Sequence, residues 1–235
     1  MQNNSKKIFM SERSKSSKPN PDREQRILNA ASSLIVQYGF DKTTVSEIAE
    51  GAGISKGAVY LHFESKDTLF DALIKREFWR YAQSYMKRLE ADPEGGTIAG
   101  IYKNTLYTMQ DSPLMQALFR QDRRVLGAYA RRNQALNQVR ALSNTQFIVW
   151  MQQVGAVRPD IAPHIAAYIM NMLSYALISM DDVLPAEQIP PIEDVIEGIA
   201  LVVGSALTPP NAPPSETVKA LIRQAVESAR GVYGE

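Results

Sequence analysis

Residues 43–66 read TTVSEIAEGAGISKGAVYLHFESK, and this stretch decides the fold. Thr44, followed three residues later by Glu47, forms a capping box. The hydroxyl accepts the N3 amide while the carboxylate reaches back to the cap amide. The helix it opens is barely two turns long and keeps Val45, Ile48 and Ala49 on its inner side. Gly51-Ala52-Gly53 follows, where a glycine can take the positive φ of a sharp interhelical turn. Ile54 is expected to plug the angle between two helices. Ser55 then caps a second short helix, from Lys56 to about His62, with Val59 facing inward.

Upstream, Ile27, Leu28, Ala31, Leu34, Ile35 and Tyr38 repeat at helical spacing until Gly39, and Asp22 with Gln25 resembles a capping box at the start. Two short helices joined by a glycine turn and packed on a longer first helix make a helix-turn-helix. In that arrangement the second helix enters the major groove of DNA with its N-terminal residues at base edges. Those positions are Ser55, Lys56, Gly57 and Ala58. Gly57 and Ala58 allow close approach, and Ala58 can touch a thymine methyl. Lys56 can meet guanine or phosphate, while Tyr60 and His62, about one turn further on, can donate to phosphates. Ser65 caps the next helix, so its first amides together with Lys66 form a further phosphate seat. Helix–glycine–helix units also occur in ordinary bundles, so the pattern alone leaves a purely structural reading open.

At these residues the sequence resembles a known family. Tyr38-Gly39-Phe40, Thr43-Thr44-Val45, Ile48-Ala49, Gly53-Ile54-Ser55-Lys56-Gly57, Tyr60, His62-Phe63 and Ser65-Lys66 look like the DNA-binding domain of the TetR family of bacterial regulators. The resemblance covers about residues 23–75. It implies an N-terminal helix-turn-helix followed by a larger helical domain for ligand binding and dimerisation. It also implies that Thr44, Lys56, Tyr60, His62 and Lys66 stand at DNA-contacting positions. Members are usually repressors that bind palindromic operators and release them when a small molecule binds.

The rest of the composition narrows the alternatives. The chain has 235 residues, 26 Lys+Arg, 25 Asp+Glu, two histidines and no cysteine. Disulfides, thiol nucleophiles and cysteine metal sites are therefore excluded, and no cofactor or metal is expected. No apolar run approaches the ~18 residues of a membrane span, and the start carries no apolar signal core, so a cytoplasmic protein is expected. Charge is uneven: residues 1–26 carry a net of +4 and residues 156–235 a net of −6. Such polarity places a polyanion at the N-terminal end, although charge also fluctuates between segments of ordinary proteins. Residues 1–20, rich in Ser, Lys and Asn, read as a disordered basic arm that either tracks DNA or is a solvated tail.

Beyond residue 66 nearly everything has helical spacing. Helices are expected at about 66–91, 96–110, 113–128, 131–154, 159–181, 191–207 and 215–232, with breaks at prolines. The fold class is all-α: an arm over 1–20, a three-helix helix-turn-helix domain over 21–66, and a ligand-binding and dimerisation domain over 67–235. Phe78, Tyr81, Tyr85, Tyr102, Leu106, Met109, Phe119, Phe147, Trp150, Met151, Met170 and Tyr175 suit the wall of an apolar or aromatic ligand pocket, or plain core. The basic stretch Arg120, Arg123, Arg124, Arg131, Arg132 and Arg140 reads as a solvated face, with an anionic ligand as the alternative.

The helices at 159–181 and 191–207 are apolar almost all round and must be covered on both sides. A two-fold dimer interface is expected there, through Ala166, Ala167, Met170, Ser174, Ala176, Ile199, Val203 and Leu207. Asp160 and His164 stand four apart; without a second histidine they read as a capped helix start rather than a metal pair. The expectation is a homodimeric, ligand-responsive repressor of a palindromic operator in double-stranded DNA, with a small-molecule effector. One alternative is a similar DNA-binding protein without ligand control, acting as activator or chromosome organiser. The other is an all-α enzyme or carrier, for which no nucleophile elbow, phosphate loop or carboxylate pair is found.

Overall fold

A computed structural model describes residues 21–132, 144–180 and 184–232, and among them the regular structure is helical. The first three helices are α1 (Pro21–Tyr38), α2 (Val45–Gly51) and α3 (Lys56–Tyr60). Asp22 lies inside the first turn of α1 rather than capping it. Ile27, Leu28, Ala31 and Ile35 of α1 pack on Val45, Ile48, Val59 and Phe63, and this small core is closed by Leu69, Phe70 and Leu73 of the next helix. The anticipated arm, residues 1–20, lies outside the described residues.

Two glycines fix the chain path here. Gly39 has φ +88° and lies so close to Arg124 that an added Cβ would sit 2.2 Å from its carbonyl oxygen. Gly53 has φ +65° and forms the turn between α2 and α3. Side chains rarely adopt such φ values, so both turns depend on glycine.

The long helix α4 (Lys66–Ala91) runs for 26 residues, about 39 Å. Its first turns belong to the N-terminal core and its last, through Leu89, to a second core. That second core gathers α5 (Ile98–Gln110), the later α9 (Asn144–Gln153), α10 (Pro163–Leu177), α11 (Ile192–Leu207) and α12 (Ser215–Val232). A short 3-10 turn at Ala186–Gln188 precedes α11.

One expected helix is divided in two. Instead of one helix over 113–128 there are α6 (Pro113–Arg120) and α7 (Arg123–Leu126), followed by the short α8 (Tyr129–Arg132). Gln121 turns left-handed at φ 54°, Asp122 caps α7, and Gly127 at φ 53° ends it. The cause is tertiary: the Phe40 amide donates to the Val125 carbonyl at 2.8 Å, and Asp41 accepts from the Ala128 amide at 3.0 Å. Both contacts need the chain to bend against the N-terminal head. Of the expected helix at 131–154, residues 133–143 lie outside the described residues. The helix expected from 159 begins only at Pro163, because proline suits the first helical position and keeps the residue before it out of the helix; Asp160 pairs with Arg158 instead, Nε to Oδ1 at 2.6 Å. Asp160 therefore does not cap α10.

Candidate nucleic-acid interface and effector cavity

The capping boxes that set the head are formed. The Glu47 amide donates to Thr44 Oγ1 at 3.2 Å and the Thr44 amide to Glu47 Oε2 at 2.7 Å. These bonds to the Thr44 hydroxyl and amide hold the Glu47 carboxyl below its ordinary range. The Ala58 amide donates to Ser55 Oγ at 3.2 Å, starting α3 where the sequence places it. The helix stops at Tyr60, two residues short of the expected end.

With Val59 buried, the rest of α3 faces outward. Thr44, Ser55, Lys56 and Gly57 are exposed, Ala58 is half-buried, and an added Cβ at Gly57 would meet nothing within 4 Å. Tyr60 is 46% exposed. His62 is half-buried, and its Nδ1 is sealed without a partner, leaving Nε2 as the ring nitrogen a phosphate can meet. Lys66 is placed differently from the expectation of a free cation. Its ammonium donates to the carbonyls of Phe40 (2.7 Å) and Thr43 (3.0 Å) and lies 4.2 Å from the Phe40 ring centroid. Two of its three donors therefore fasten α4 to the loop before α2. Leu61, 75% exposed beside Tyr60, was missed by a search for polar groups. Its position between inward Val59 and Phe63 is the signal that would have found it.

The head is tied to the body at two further points. Half-buried Arg76 of α4 donates to Asn29 Oδ1 (2.8 Å) and the Leu28 carbonyl (3.2 Å) of α1, and to Glu77 (2.7 Å). On the other side Phe40, Phe70 and Tyr129 form an aromatic cluster, with Phe70 and Tyr129 edge to face at 4.5 Å. The Tyr129 hydroxyl also donates to Asp71.

A cavity of about 710 Å³ opens in the body among α4, α5, α6, α9, α10 and α12. Ten of the twelve side chains expected around a ligand line it: Phe78, Tyr81, Tyr85, Tyr102, Leu106, Met109, Phe119, Phe147, Trp150 and Met170. Met151 is instead fully buried in the second core, and Tyr175 is 52% exposed on the outer side of α10. The wall also includes residues not anticipated, among them Thr105, Gln110, Gln146, Leu177 and Ile222. These lie on faces whose inward direction depends on how the helices cross. Tyr102 donates to the Met170 carbonyl, with Ser174 Oγ 2.8 Å from its hydroxyl. Burial pushes the Tyr81 and Tyr102 phenols up to about 12 and Tyr85 higher still. Arg120 of the basic stretch turns inward to the Ile178 carbonyl at 2.7 Å, and Arg124 pairs with Asp122 at 3.1 Å. Arg123 is exposed; the side chains of Arg131, Arg132 and Arg140 lie outside the described residues.

The expected dimer contacts need correcting. Ala166, Ala167, Met170, Ser174, Val203 and Leu207 are buried within this one chain, and Ile199 is half-buried against its second core. Their small side chains admit close packing to the chain's own helices. Of the eight residues, only Ala176 is exposed. The uncovered rows are the opposite ones: Ile165, Tyr168, Ile169, Met172 and Tyr175 on α10, with Leu201 (72% exposed) and Val202 on α11. Gly198 lies open on α11 as well.

A helix-turn-helix in a short three-helix head is joined by one long helix to a hollow helical body. Residues 27–73 match the family model of bacterial regulatory proteins, tetR family. An HTH-type transcriptional repressor of Mycobacterium tuberculosis is 40% identical over 60 residues, 26% of this chain and 32% of that protein. The HTH-type transcriptional regulator AcrR of Shigella flexneri is 37% identical over 71 residues, 30% and 31% of the two chains. The aligned part of this chain thus spans about a third of the length of those relatives. The fold continues further. The regulator FadR of Bacillus subtilis, solved with stearoyl-CoA, has a TM-score of 0.59 at 16% identity, over 77% of this chain and 97% of that one. NalD of Pseudomonas aeruginosa, the secondary repressor of the MexAB-OprM multidrug efflux pump, has a TM-score of 0.55 at 21% identity, over 81% and 97%. Residues 27–73 are thus similar to tetR-family regulatory proteins, and the fold as a whole is shared with these solved structures.

Proposed function

We propose that the protein is a homodimeric repressor that binds a palindromic operator in double-stranded DNA and leaves it when a small apolar or aromatic effector enters the cavity. The observation that carries this reading is the continuity of α4. Leu69, Phe70 and Leu73 hold it to the head, and Phe78, Tyr81 and Tyr85 of the same helix line the cavity. A ligand that presses on the second group tilts the first, so the two heads change their spacing. Coupling of this kind is worth about 1–3 kcal/mol and is reciprocal. The DNA contacts would come from Ser55, Lys56, Gly57, Ala58 and Tyr60 in the major groove, with Thr44, His62 and the start of α4 on the backbone. The exposed apolar rows of α10 and α11 suit pairing with a second copy about a two-fold axis. The Mycobacterium tuberculosis relative is a repressor, which supports the direction of control. The site of action is the cytoplasm; among the described residues no helix is long and apolar enough to cross a membrane.

The test is selection of bound duplexes from a random pool at about 150 mM salt, where sequence-independent phosphate binding is suppressed. Enrichment of a palindrome with half-sites about one helical turn apart supports the reading. Binding that disappears with salt regardless of sequence overturns it.

A further inference from the structure

The cavity wall carries a constraint on its occupant that shape alone does not give. None of the described residues that line it is Asp, Glu, Lys, Arg or His. Arg120 follows Phe119 of the wall, but its guanidinium is directed to the Ile178 carbonyl (2.7 Å) and the Asp122 carboxylate (3.8 Å). The tyrosines stay neutral, since burial holds the Tyr81 phenol near 12 and Tyr85 above it. An ion entering such a space loses several kcal/mol of hydration and meets no opposite charge among the described lining residues. For a cation, the aromatic faces of Phe78, Phe147 and Trp150 return only about 2 kcal/mol.

The polar groups of the wall are not equivalent. The Tyr102 hydroxyl is already engaged with the Met170 carbonyl and Ser174, and the Thr105 hydroxyl donates to the Ile101 carbonyl at 2.8 Å. Tyr81 is different: it lines the cavity, is half-buried, and no hydrogen-bond partner is found for its hydroxyl among the described residues. A hydroxyl open to an apolar cavity with no protein partner can donate to a ligand oxygen, a bond worth about 0.5–1.5 kcal/mol.

We propose that the effector is an uncharged, largely hydrocarbon molecule with one neutral oxygen function, an alcohol, ester or ketone, that accepts a hydrogen bond from Tyr81, and that carboxylates, phosphorylated thioesters and organic cations are excluded. This rests on the reading of the cavity as an effector site and adds the ligand's charge class and the residue that positions its polar end. The volume of about 710 Å³ is ample for a molecule of drug size.

The test uses the full chain and a neutral fluorescent probe, N-phenylnaphthylamine, displaced at about pH 8 by three molecules with the same alkyl chain: decanol, decanoate and decyltrimethylammonium. Decanol is expected to displace the probe at a concentration at least about tenfold lower than either ion. In Tyr81→Phe, decanol is expected to weaken about fivefold, the loss of one hydrogen bond, while the probe itself binds as before. Decanoate or the ammonium displacing as well as decanol overturns the charge class. An unchanged decanol affinity in Tyr81→Phe overturns the role of that hydroxyl. Failure of the probe and all three molecules to bind refutes the effector cavity itself, which is a separate result. The wild-type comparison stands even if the variant is unstable.

Discussion

The Lys66 ammonium lies 4.2 Å from the centroid of the Phe40 ring while donating to the Phe40 carbonyl at 2.7 Å. A cation at the start of α4 thus closes the loop that leads into the helix-turn-helix. In Lys66→Met the two carbonyls lose a charged donor, and the protein should be destabilised by about 2 kcal/mol in urea unfolding. The slope of log affinity for operator against log salt should stay as in the wild type. A slope smaller by about one would mean that Lys66 is a phosphate contact instead.

Lys56 is the contrasting case: it is exposed at the start of α3 and nothing in the head depends on it. Lys56→Ala should leave the melting temperature unchanged, weaken operator binding about tenfold, and reduce the salt slope by about one if phosphate is its partner. Unchanged binding would remove the first turn of α3 from the interface.

Gly39 cannot accept a side chain. Its φ of +88° and the Arg124 carbonyl, 2.2 Å from an added Cβ, act together. Gly39→Ala should cost about 3 kcal/mol, strain and overpacking combined. Urea midpoints of the two proteins, compared at equal slope, check this.

Glu47 gives a pH dependence with a definite sign. Its carboxyl is held below the ordinary value of 4.5 by the Thr44 hydroxyl and amide. A depressed carboxylate adds stability above its unfolded pKa and loses it as pH falls through the folded one. The melting-temperature gap between wild type and Glu47→Gln should therefore be present at about pH 6 and shrink towards about pH 3. A gap that stays constant over this window would assign the cap's contribution to geometry alone.

Leu201 is 72% exposed on α11, so Leu201→Glu should fold normally and sediment as a monomer. Met170→Glu, at a position buried within one chain, should instead damage folding of the subunit itself. A Leu201→Glu variant that remains a dimer would place the subunit contact elsewhere.

The parts that were legible in the sequence are those specified locally. Thr44 with Glu47, Ser55, and Gly53 announce caps and a turn through residues three or fewer apart, and the structure places each where expected. Ten of the twelve residues in the aromatic and methionine pattern also lie on the cavity wall, because large apolar side chains at helical spacing point into a bundle. What was not legible depends on partners distant in the chain. The break at Gln121 exists because Phe40 and Asp41 take the Val125 carbonyl and the Ala128 amide. Lys66 was read as a cation facing DNA because the carbonyls of Phe40 and Thr43, more than twenty residues earlier, leave no trace in its neighbourhood. For α10 the periodicity is silent: with apolar residues on both sides, nothing local says which row faces its own chain.

That two-sidedness of α10 ties together two properties that other proteins keep apart. Met170, Ser174 and Leu177 look into the cavity while Tyr168, Met172 and Tyr175 look away from the molecule. Only the width of one helix therefore separates the cavity from the exposed apolar row. Mutations that retune one inherit consequences for the other, so lineages that acquire a new chemical signal on this scaffold should also drift in how firmly, and with which copies, they pair.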